Sequence, residues 1–386
     1  MTALNVGIVT KEWPPAIYGG AGVHVLQLTQ ALRTITDIHV DVHCFGGKRD
    51  DAFGYSLPVG FSDANPAVQA LAIDLEIATH LGHVDVVHSH TWYANMAGHI
   101  ASLQHAIPHI VSAHSLEPLR PWKSDQLGGG YKISSWAEKT AFEAAAAIIA
   151  VSDGMRADVI AAYPDVDPAK VVTIRNGVDT QKFAPNHDTS VPMSFGINGP
   201  YAIFVGRITR QKGLAHLLRA WKDVPAEYGL VLAAGSADEA GIGNEVAALI
   251  ADLQRTRSNV WWIKEMLPHE QLTAMLTAAD LFICPSIYEP LGIVNLEAMG
   301  CETAVLGSRV GGIPEVVADK ETGELVDYKG EAASFEKALT ESITRLMAQP
   351  ELLKKYGTAG RARAQKLFGW DAVAALTVDL YRRVIA

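Results

Sequence analysis

Short runs of apolar residues alternate along the whole chain with longer segments in which the apolar residues recur every third or fourth position. The short runs have the length and the β-branched composition of buried strands, and the longer segments have the period of helices that pack one face on a core. Strands and helices that alternate in this way are typical of parallel sheets with helical crossover connections. The pattern therefore predicts an α/β protein.

The predicted elements fall into two similar series. Strands are predicted in the first half at 6–9, 39–45, 84–88, 109–113, 147–151 and 171–175, with helices at 22–32, 66–81, 94–105 and 134–146. In the second half the strands are 202–205, 230–234, 260–263, 281–284, 304–306 and 324–326, with helices at 214–221, 244–255, 269–278 and 293–299. Three helical patterns at 335–347, 351–368 and 370–385 close the chain.

The length of 386 residues suits two α/β domains better than one. We expect two doubly wound Rossmann-like domains that face a central cleft, one at 1–180 and one at 181–369, with the polar stretch 184–200 near the boundary. The last helix, 370–386, is expected to complete the first domain. Because ligands of open α/β sheets lie beyond the carboxyl ends of the strands, residues just after strands carry the functional predictions.

Composition and charge exclude several classes of protein. The formal net charge of −10 argues against a nucleic-acid-binding protein. The three cysteines are isolated, which supports neither a disulfide framework nor a zinc site and favours a reduced, cytoplasmic protein. The most apolar stretch, 144–151, is far shorter than the roughly 20 residues of a membrane span. The sequence therefore predicts a soluble protein with no membrane or nucleic-acid partner.

The stretch 288–299 carries the strongest chemical signal, because it places Glu289 and Glu297 on either side of Gly292, just after a predicted strand. The backbone N–H groups of Gly292, Ile293 and Val294 would be unpaired at a helix start, where the helix dipole favours a phosphate. Two carboxylates beside a phosphate site suit the sugar, diphosphate and ribose of one activated sugar. The stretch therefore suggests glycosyl transfer.

A basic loop follows the first strand of the second domain. Arg207 and Lys212 are five positions apart in this loop and could stabilise a departing nucleoside diphosphate without a metal. The alternative interpretation is a basic loop that is only exposed to solvent. This alternative would be favoured if the loop did not directly follow a predicted strand. The turn 311–315, which is also rich in glycine, is expected to be structural.

In the first domain, a turn containing Gly19 and Gly20 follows the first strand and would present a helix N-terminus to a phosphate, although such turns are often only turns. His114 follows another strand. His88 and His90 lie in a third, and a metal site formed by these three histidines is not supported by their spacing. Hydrogen bonds to sugar hydroxyls, with Trp92 or Tyr93 as a stacking face, are the preferred interpretation.

Together these motifs resemble the retaining glycosyltransferases of the glycosyltransferase 4 family, which have the GT-B fold. The resemblance covers essentially the whole chain and includes the E-x7-E pair formed by Glu289 and Glu297. More narrowly, four runs resemble the short bacterial glycogen synthase-like branch: 12–15, 88–92, 115–122 and 288–292. Members of that branch extend α-1,4-glucan or join glucose to glucose 1-phosphate, giving α-maltose 1-phosphate.

The resemblance implies a role for each matching residue. The donor would be a nucleoside-diphosphate glucose, with ADP-glucose favoured over UDP-glucose, and neither a metal nor another cofactor would be needed. Transfer would proceed by front-face attack with no protein nucleophile. Glu289 would bind the glucose hydroxyls, Glu297 would bind the ribose, and His114 would lie beside the reacting sugar. The residues expected at the phosphates are Arg207, Lys212, Gly19, Gly20, Gly292, Ile293 and Val294.

Two departures affect the acceptor side, which the resemblance assigns to the first domain. Larger bacterial glycogen synthases carry a lysine where this chain has Ile17, and an aspartate where it has Thr91. A polymer acceptor therefore does not follow, and the basic, aromatic loop 120–132 suits a small phosphorylated acceptor. Glucose 1-phosphate is thus considered alongside glucan. The predicted acceptor-binding residues are His90, Trp92, Arg120, Lys123 and Tyr131.

Four other functions remain open at this point: a glycosyltransferase 4 enzyme with another acceptor, a non-hydrolysing 2-epimerase that uses a nucleotide sugar, an NAD-dependent oxidoreductase, and a non-catalytic protein that binds a sugar nucleotide. The oxidoreductase would need a GxGxxG motif after a first strand, and neither half of the chain has one. A 2-epimerase would need acid and base carboxylates beyond Glu289. The oligomeric state is open, and a homodimer is one possibility.

Overall fold

A computed structural model describes residues 3–124, 128–235 and 237–386. The chain divides into two compact units, the first formed by Met1–Gly177 with Trp370–Ala386 and the second by Val178–Gly369. The division falls after Gly177, three residues before the boundary that was predicted after residue 180. Each unit is a parallel β-sheet covered by helices.

The first unit contains seven strands in the described residues. Its elements are, in order, β1 (Leu4–Thr10), α1 (Gly20–Arg33), β2 (Ile38–Phe45), β3 (Phe53–Tyr55), α2 (Pro66–Thr79), β4 (Val86–His90), α3 (Trp92–His105), β5 (His109–Ala113), α4 (Gly130–Ala144), β6 (Ala147–Ala150), α5 (Asp153–Ala162) and β7 (Val171–Thr173). Short 3₁₀ turns lie at Glu117–Leu119 and Pro168–Lys170.

The second unit contains six strands in the described residues. Its elements are α6 (Ser190–Ser194), β8 (Tyr201–Val205), a 3₁₀ turn at Arg210–Lys212, α7 (Leu214–Trp221), β9 (Gly229–Ala233), α8 (Ala240–Thr256), β10 (Val260–Ile263), α9 (His269–Ala278), β11 (Leu281–Cys284), α10 (Ile293–Gly300), β12 (Ala304–Ser308), α11 (Ile313–Val316), β13 (Gly323–Val326), α12 (Ala332–Met347) and α13 (Pro350–Leu367). The final helix, α14 (Trp370–Ile385), lies in the first unit.

Both sheets have the doubly wound strand order. The first is β3-β2-β1-β4-β5-β6-β7 and the second is β10-β9-β8-β11-β12-β13, with every pairing parallel. In this order the connections reverse direction between β1 and β4 and between β8 and β11, and a crevice opens beyond the carboxyl ends of those strands. The predicted fold class of two doubly wound domains is confirmed, and the topology marks one position in each unit where a ligand is expected.

The first sheet is apolar along its central strands because helices cover both of its faces. Val6 and Ile8 of β1 belong to a core shared with α1 and α14. Val9, which points to the opposite face, belongs to a core shared with α2 and α3. Strands β4 and β5 are buried along their whole length. Burial of both faces explains why the central strands are rich in Val and Ile and do not alternate with exposed polar residues, although β4 and β5 also contain buried His and Ser.

Several elements differ from the prediction. The sequence prediction missed β3, α5 and α6, whereas the short helix α11 begins at the glycine-rich turn that was expected to open a helix. The prediction also placed β4 two residues early, at 84–88, because Val84 and Asp85 form the turn before the strand, where the Asp85 N–H donates to the carbonyl of Asn5 at 2.8 Å. The start of helix α5 could have been recognised from its N-cap serine, because the Ser152 hydroxyl accepts a hydrogen bond from the Met155 N–H at 2.8 Å. No helix of the described residues has the length and apolarity to span a membrane.

Candidate active site

An ion pair lies at the switch point of the second unit, where β8 and β11 end. Lys212, in the 3₁₀ turn after β8, donates to Oε2 of Glu289, in the loop after β11, at 2.6 Å. The Ser286 hydroxyl donates to the same carboxylate oxygen at 3.0 Å. Burial alone would lower the pKa of the Lys212 ammonium, but the Glu289 carboxylate outweighs it and the pKa is raised. Lys212 is therefore held in its charged form.

Glycines allow the two loops to approach this closely. Gly213 has φ of 64°, and a Cβ at this position would lie 1.9 Å from the carbonyl oxygen of Pro285. Gly311 has φ of 51°, and a Cβ there would lie 1.9 Å from the carbonyl oxygen of Glu289. The neighbouring Gly312 N–H donates to that carbonyl at 3.0 Å. The turn 311–315 thus supports the backbone of Glu289, in keeping with its expected structural role.

Arg207, the second predicted phosphate cation, pairs with an acid that the sequence analysis missed. Its guanidinium donates to Oδ1 of Asp238 at 2.7 Å. The backbone holds the two residues together, because the Asp238 N–H donates to the carbonyl of Ile208 at 3.1 Å. The positive charge of Arg207 acts on Lys212, so the two cations lie near each other at the end of β8. The Arg207 side chain is 37% exposed.

Helix α10 begins beside this pair and has free N–H groups at its first turn. Gly292 has φ of 91° and turns the chain from the Glu289 loop into the helix. Within the described part of the chain, no hydrogen-bond acceptor faces the N–H groups of Gly292, Ile293 or Val294. Glu297 lies one turn further on, and burial raises the pKa of its carboxyl to about 7. The second unit therefore combines free amides, two cations and two carboxylates at one edge of its sheet.

The corresponding edge of the first unit holds a cluster of three histidines, His24, His90 and His114. His90 ends β4 and His114 follows β5, and His90 Nδ1 lies 3.0 Å from His114 Nε2. The ring of His24, on α1, packs edge-on against that of His114, with a centroid distance of 4.7 Å. Burial lowers the pKa of His114 to about 4 and lowers the pKa values of His24 and His90 well below their usual range. The cluster is therefore uncharged.

This cluster corrects the trio considered from the sequence, which contained His88 in place of His24. His88 Nδ1 lies 2.7 Å from the Tyr381 hydroxyl of α14, and its Nε2 lies 2.8 Å from the Ser112 hydroxyl. Both of its ring nitrogens are thus engaged in the core. Nitrogens of His24, His90 and His114 lie within 4.8 Å of one another, a spacing at which three imidazoles could hold a metal ion. His24 was missed because it lies within a helix, four residues after its first glycine.

The glycine turn before α1 contains a carboxylate where a phosphate was expected. Oε2 of Glu12 accepts hydrogen bonds from the N–H groups of Tyr18 and Gly19, at 3.0 and 2.9 Å. A Cβ at Gly22 would lie 2.5 Å from the same oxygen, so the missing side chain makes room for Glu12. Gly20 is the first residue of α1. Glu12 therefore bonds the two N–H groups just before α1, and its hydrogen bonds do not extend to the N–H groups of the first helical turn.

Most of the predicted acceptor residues are already engaged within the first unit. Trp92 is only 4% exposed and packs on Ala67 and Ala70, which corrects its expected role as a stacking face. Tyr93 stacks against it at a centroid distance of 4.1 Å. Lys123 lies just before residues 125–127 of the predicted acceptor loop, which are outside the described residues.

Arg120 and Tyr131 belong to a buried network. The Arg120 guanidinium donates to the Ser115 hydroxyl at 2.9 Å and lies 3.8 Å from the Glu117 carboxylate. The Tyr131 hydroxyl donates to the carbonyl of Glu117 at 2.7 Å. The Glu117 N–H in turn donates to Glu138 at 2.7 Å, and burial raises the pKa of Glu138 to about 8. The network fixes the loop that follows His114 and balances the charge of Arg120.

Comparison with known proteins identifies the family. The model of Glycosyltransferase Family 4 matches residues 18–182, and the model of Glycosyl transferases group 1 matches residues 194–363. The chain is 49% identical over 389 residues to the α-maltose-1-phosphate synthase of Mycolicibacterium smegmatis, with 99% of this chain and 100% of that protein covered. The chain belongs to the glycosyltransferase 4 family. The predicted family resemblance and the prediction of a glycosyl-transferring enzyme are confirmed.

Solved structures with the same fold include other glycosyltransferases. Sucrose-phosphate synthase from Thermosynechococcus elongatus has a TM-score of 0.82 and 25% identity, with 99% of each chain covered. The catalytic domain of starch synthase IV from Arabidopsis thaliana has a TM-score of 0.76 and 16% identity, with 100% of each chain covered. This glycosyltransferase 4 enzyme thus has the GT-B fold.

Proposed function

We propose that this enzyme transfers the glucosyl group of a nucleoside-diphosphate glucose, with ADP-glucose favoured, to O4 of glucose 1-phosphate. The products are α-maltose 1-phosphate and the nucleoside diphosphate, and the configuration at the transferred carbon is retained. The observation that carries the proposal is the 49% identity to an α-maltose-1-phosphate synthase over the full length of that protein. The preference for ADP-glucose rests on the resemblance to the glycogen synthase-like branch.

The donor half of the proposal uses the carboxyl edge of the second sheet. Lys212 and Arg207 neutralise the diphosphate, and the free N–H groups at the start of α10 donate hydrogen bonds to one of its phosphates. Glu297, one turn into the helix, hydrogen-bonds the ribose, and Glu289 hydrogen-bonds the glucose hydroxyls. Cations that are already fixed in place need no reorganisation when charge develops on the leaving group, which is the condition for strong electrostatic catalysis.

The contacts of Glu289 support a positioning role over a nucleophilic one. One carboxylate oxygen already accepts hydrogen bonds from Lys212 and Ser286, and such bonds lower its tendency to attack a sugar carbon. In the proposed step the bond from the glucosyl C1 to the diphosphate breaks while a bond to O4 of the acceptor forms on the same face. The proton of that hydroxyl passes to the departing diphosphate, so no protein base is needed.

The acceptor half of the proposal uses the histidine cluster of the first unit. An uncharged imidazole both donates and accepts a hydrogen bond, so His114 can orient sugar hydroxyls without adding charge. His90 is only 1% exposed, and its contact with His114 positions that ring in place of the predicted contact with the acceptor. His114 is placed beside the reacting glucosyl group, and its neutral form suits a transition state in which the sugar becomes positive. A cationic ring at the same position would oppose that charge.

A cytoplasmic location is part of the proposal. Cys44, Cys284 and Cys301 are all unpaired and buried in the structure, as expected for a protein that works in a reducing compartment. The sugar phosphates and nucleotide sugars that the reaction requires are themselves intracellular metabolites.

A panel of initial rates tests the proposal. ADP-, UDP- and GDP-glucose are each combined with glucose 1-phosphate, maltose and glycogen, and release of the nucleoside diphosphate is measured. We expect the highest kcat/KM for ADP-glucose with glucose 1-phosphate. Transfer to glycogen with no consumption of glucose 1-phosphate would overturn the acceptor assignment, and a higher kcat/KM for UDP-glucose would overturn the donor assignment.

A further inference from the structure

Lys11 lies at the switch point of the first sheet, directly after β1. Its ammonium nitrogen is 3.8 Å from the ring centroid of Tyr93 and 5.8 Å from that of Tyr18. Tyr93 belongs to the first turn of α3, which follows β4, and β1 pairs with β4 in a register that sets Val9 beside Ser89. Lys11 therefore lies next to the end of β4, on the edge that also carries His90.

In the described part of the chain no acidic oxygen lies within 4.0 Å of the Lys11 ammonium, and the Glu12 carboxylate stabilises its charge only from a greater distance. Glu12 is adjacent in sequence, but its carboxylate bonds the N–H groups of Tyr18 and Gly19 instead. Arg120 shows the contrast, because the fully buried Glu117 carboxylate lies 3.8 Å from its guanidinium. In the described residues Lys11 therefore forms no direct ion pair, whereas Arg120 forms one with Glu117.

A cation in a half-buried position is unfavourable for the free protein. Desolvation lowers the pKa of Lys11, and the face of the Tyr93 ring offsets only part of that cost. An anion bound at this position would interact with a cation already stripped of much of its water and held in place by an aromatic ring. Such an arrangement favours a compact, strongly charged ligand group.

We propose that Lys11, seated on Tyr93, forms a phosphate subsite in the first unit, and that its ligand is the phosphate of the acceptor glucose 1-phosphate. The inference rests on the proposed function. The donor diphosphate already has Arg207, Lys212 and the start of α10 in the second unit. In the first unit the acceptor must be held near His90 and His114, and Lys11 places a positive charge on that same edge.

Binding measurements on the whole protein test the subsite. Glucose 1-phosphate and ADP are titrated separately into the wild type, Lys11→Gln and Lys11→Arg. Loss of one charge-assisted phosphate contact should raise the Kd for glucose 1-phosphate by about 10- to 100-fold in Lys11→Gln and by less than about fivefold in Lys11→Arg. The Kd for ADP should stay within about twofold, because the second unit supplies that site. Lys139→Gln, which removes a 54% exposed lysine of α4, is the matched control and should bind as the wild type does.

The outcomes separate this inference from the proposed function. If the wild type neither binds nor consumes glucose 1-phosphate, the proposed function fails. If the wild type consumes it and Lys11→Gln binds it equally well, Lys11 is not its subsite and the proposed function stands. An equal loss of ADP and glucose 1-phosphate affinity in Lys11→Gln would also overturn the acceptor assignment. Thermal unfolding of each variant confirms that the fold is intact.

Discussion

The two units place different chemistry at the same position of the same topology. In the second unit the switch point carries paired charges, with Lys212 bonded to Glu289 and Arg207 bonded to Asp238. In the first unit it carries uncharged imidazoles, including His114, whose pKa is about 4. A diphosphate leaving group needs fixed cations, whereas a glucosyl group that becomes positive needs neutral hydrogen-bonding partners. Under the proposed function, the charged edge would serve the leaving group and the uncharged edge would serve the glucosyl group.

The charge of Lys212 explains why this buried cation has an acidic partner. A buried ammonium without a partner loses its proton readily, because burial disfavours the charged form. The Glu289 carboxylate keeps Lys212 charged before any ligand arrives. The same carboxylate is proposed to hold the glucose hydroxyls, so one contact both maintains the cation and orients the sugar.

The largest effect is expected from breaking the Lys212–Glu289 pair. Lys212→Met and Glu289→Gln should each lower kcat by about 10²- to 10³-fold, the typical cost of losing one transition-state contact. Lys212→Met also leaves Glu289 as a buried, unpaired carboxylate, and this should lower the free energy of unfolding by about 3 kcal/mol. Steady-state kinetics and urea unfolding measure the two effects.

The double variant Lys212→Met/Glu289→Gln is the matched control for that prediction. Removing both charges should restore much of the lost unfolding free energy, because no buried charge is left alone. The catalytic defect should remain. A double variant that recovers activity together with stability would mean that the pair serves the fold and not the reaction.

A smaller loss is expected from the neutral cluster. His114→Ala should lower kcat by about 10- to 100-fold, since it removes a hydrogen-bonding partner of the reacting sugar and no charge. Because the pKa of His114 is about 4, the ring is uncharged across the neutral range, and the ratio of wild-type to variant kcat should not change between about pH 6 and about pH 8.5. His39→Ala, at a 70% exposed histidine of the same unit, is the control. A ratio that rises at the acidic end of that range would show that a protonated His114 is the active form.

Glu297→Gln should raise the KM for the donor by about tenfold, through a weaker hydrogen bond to the ribose. Its effect on stability depends on pH. The pKa of Glu297 is raised from 4.5 to about 7, so the folded protein holds this proton more tightly than the unfolded chain, and Glu297 reduces stability as the pH rises through that interval. Glu297→Gln should therefore raise Tm at about pH 8 and change it little at about pH 4.5.

Glu341→Gln is the control for that experiment, because Glu341 lies in the same unit and is 67% exposed. Its Tm should follow that of the wild type at both pH values. A Glu297→Gln variant that is less stable than the wild type at about pH 8 would contradict the raised pKa.

The smallest effect is expected from the partly exposed pair at the end of β8. Asp238→Asn removes an ion pair whose side chains are 37% and 20% exposed, and such pairs contribute about 0–1 kcal/mol. The donor KM should change by less than about fivefold. Asp252→Asn, at another surface ion pair of the second unit, provides the reference. A change of more than about tenfold would mean that Asp238 orients Arg207 during catalysis.

The sequence was sufficient to predict the central strands of both sheets, because helices cover both faces of these strands and their burial produces short, mainly apolar runs. It was also sufficient to predict that Lys212 and Glu289 lie at the same edge of the second sheet, since both follow strands of one parallel sheet. It did not show which charges pair. Asp238 belongs to no motif, and the Glu12 carboxylate turns back to the start of α1 only because Gly22 leaves room. Such contacts depend on side-chain directions that strand and helix periods do not specify.

The reaction product tests the central claim most directly. Wild-type enzyme is incubated with ADP-glucose and glucose 1-phosphate, and proton and phosphorus NMR spectra are recorded over time. We predict that an α-1,4-linked disaccharide phosphate appears at the rate at which ADP is released. A β-linked product, or release of glucose and ADP while glucose 1-phosphate remains unchanged, would contradict the account.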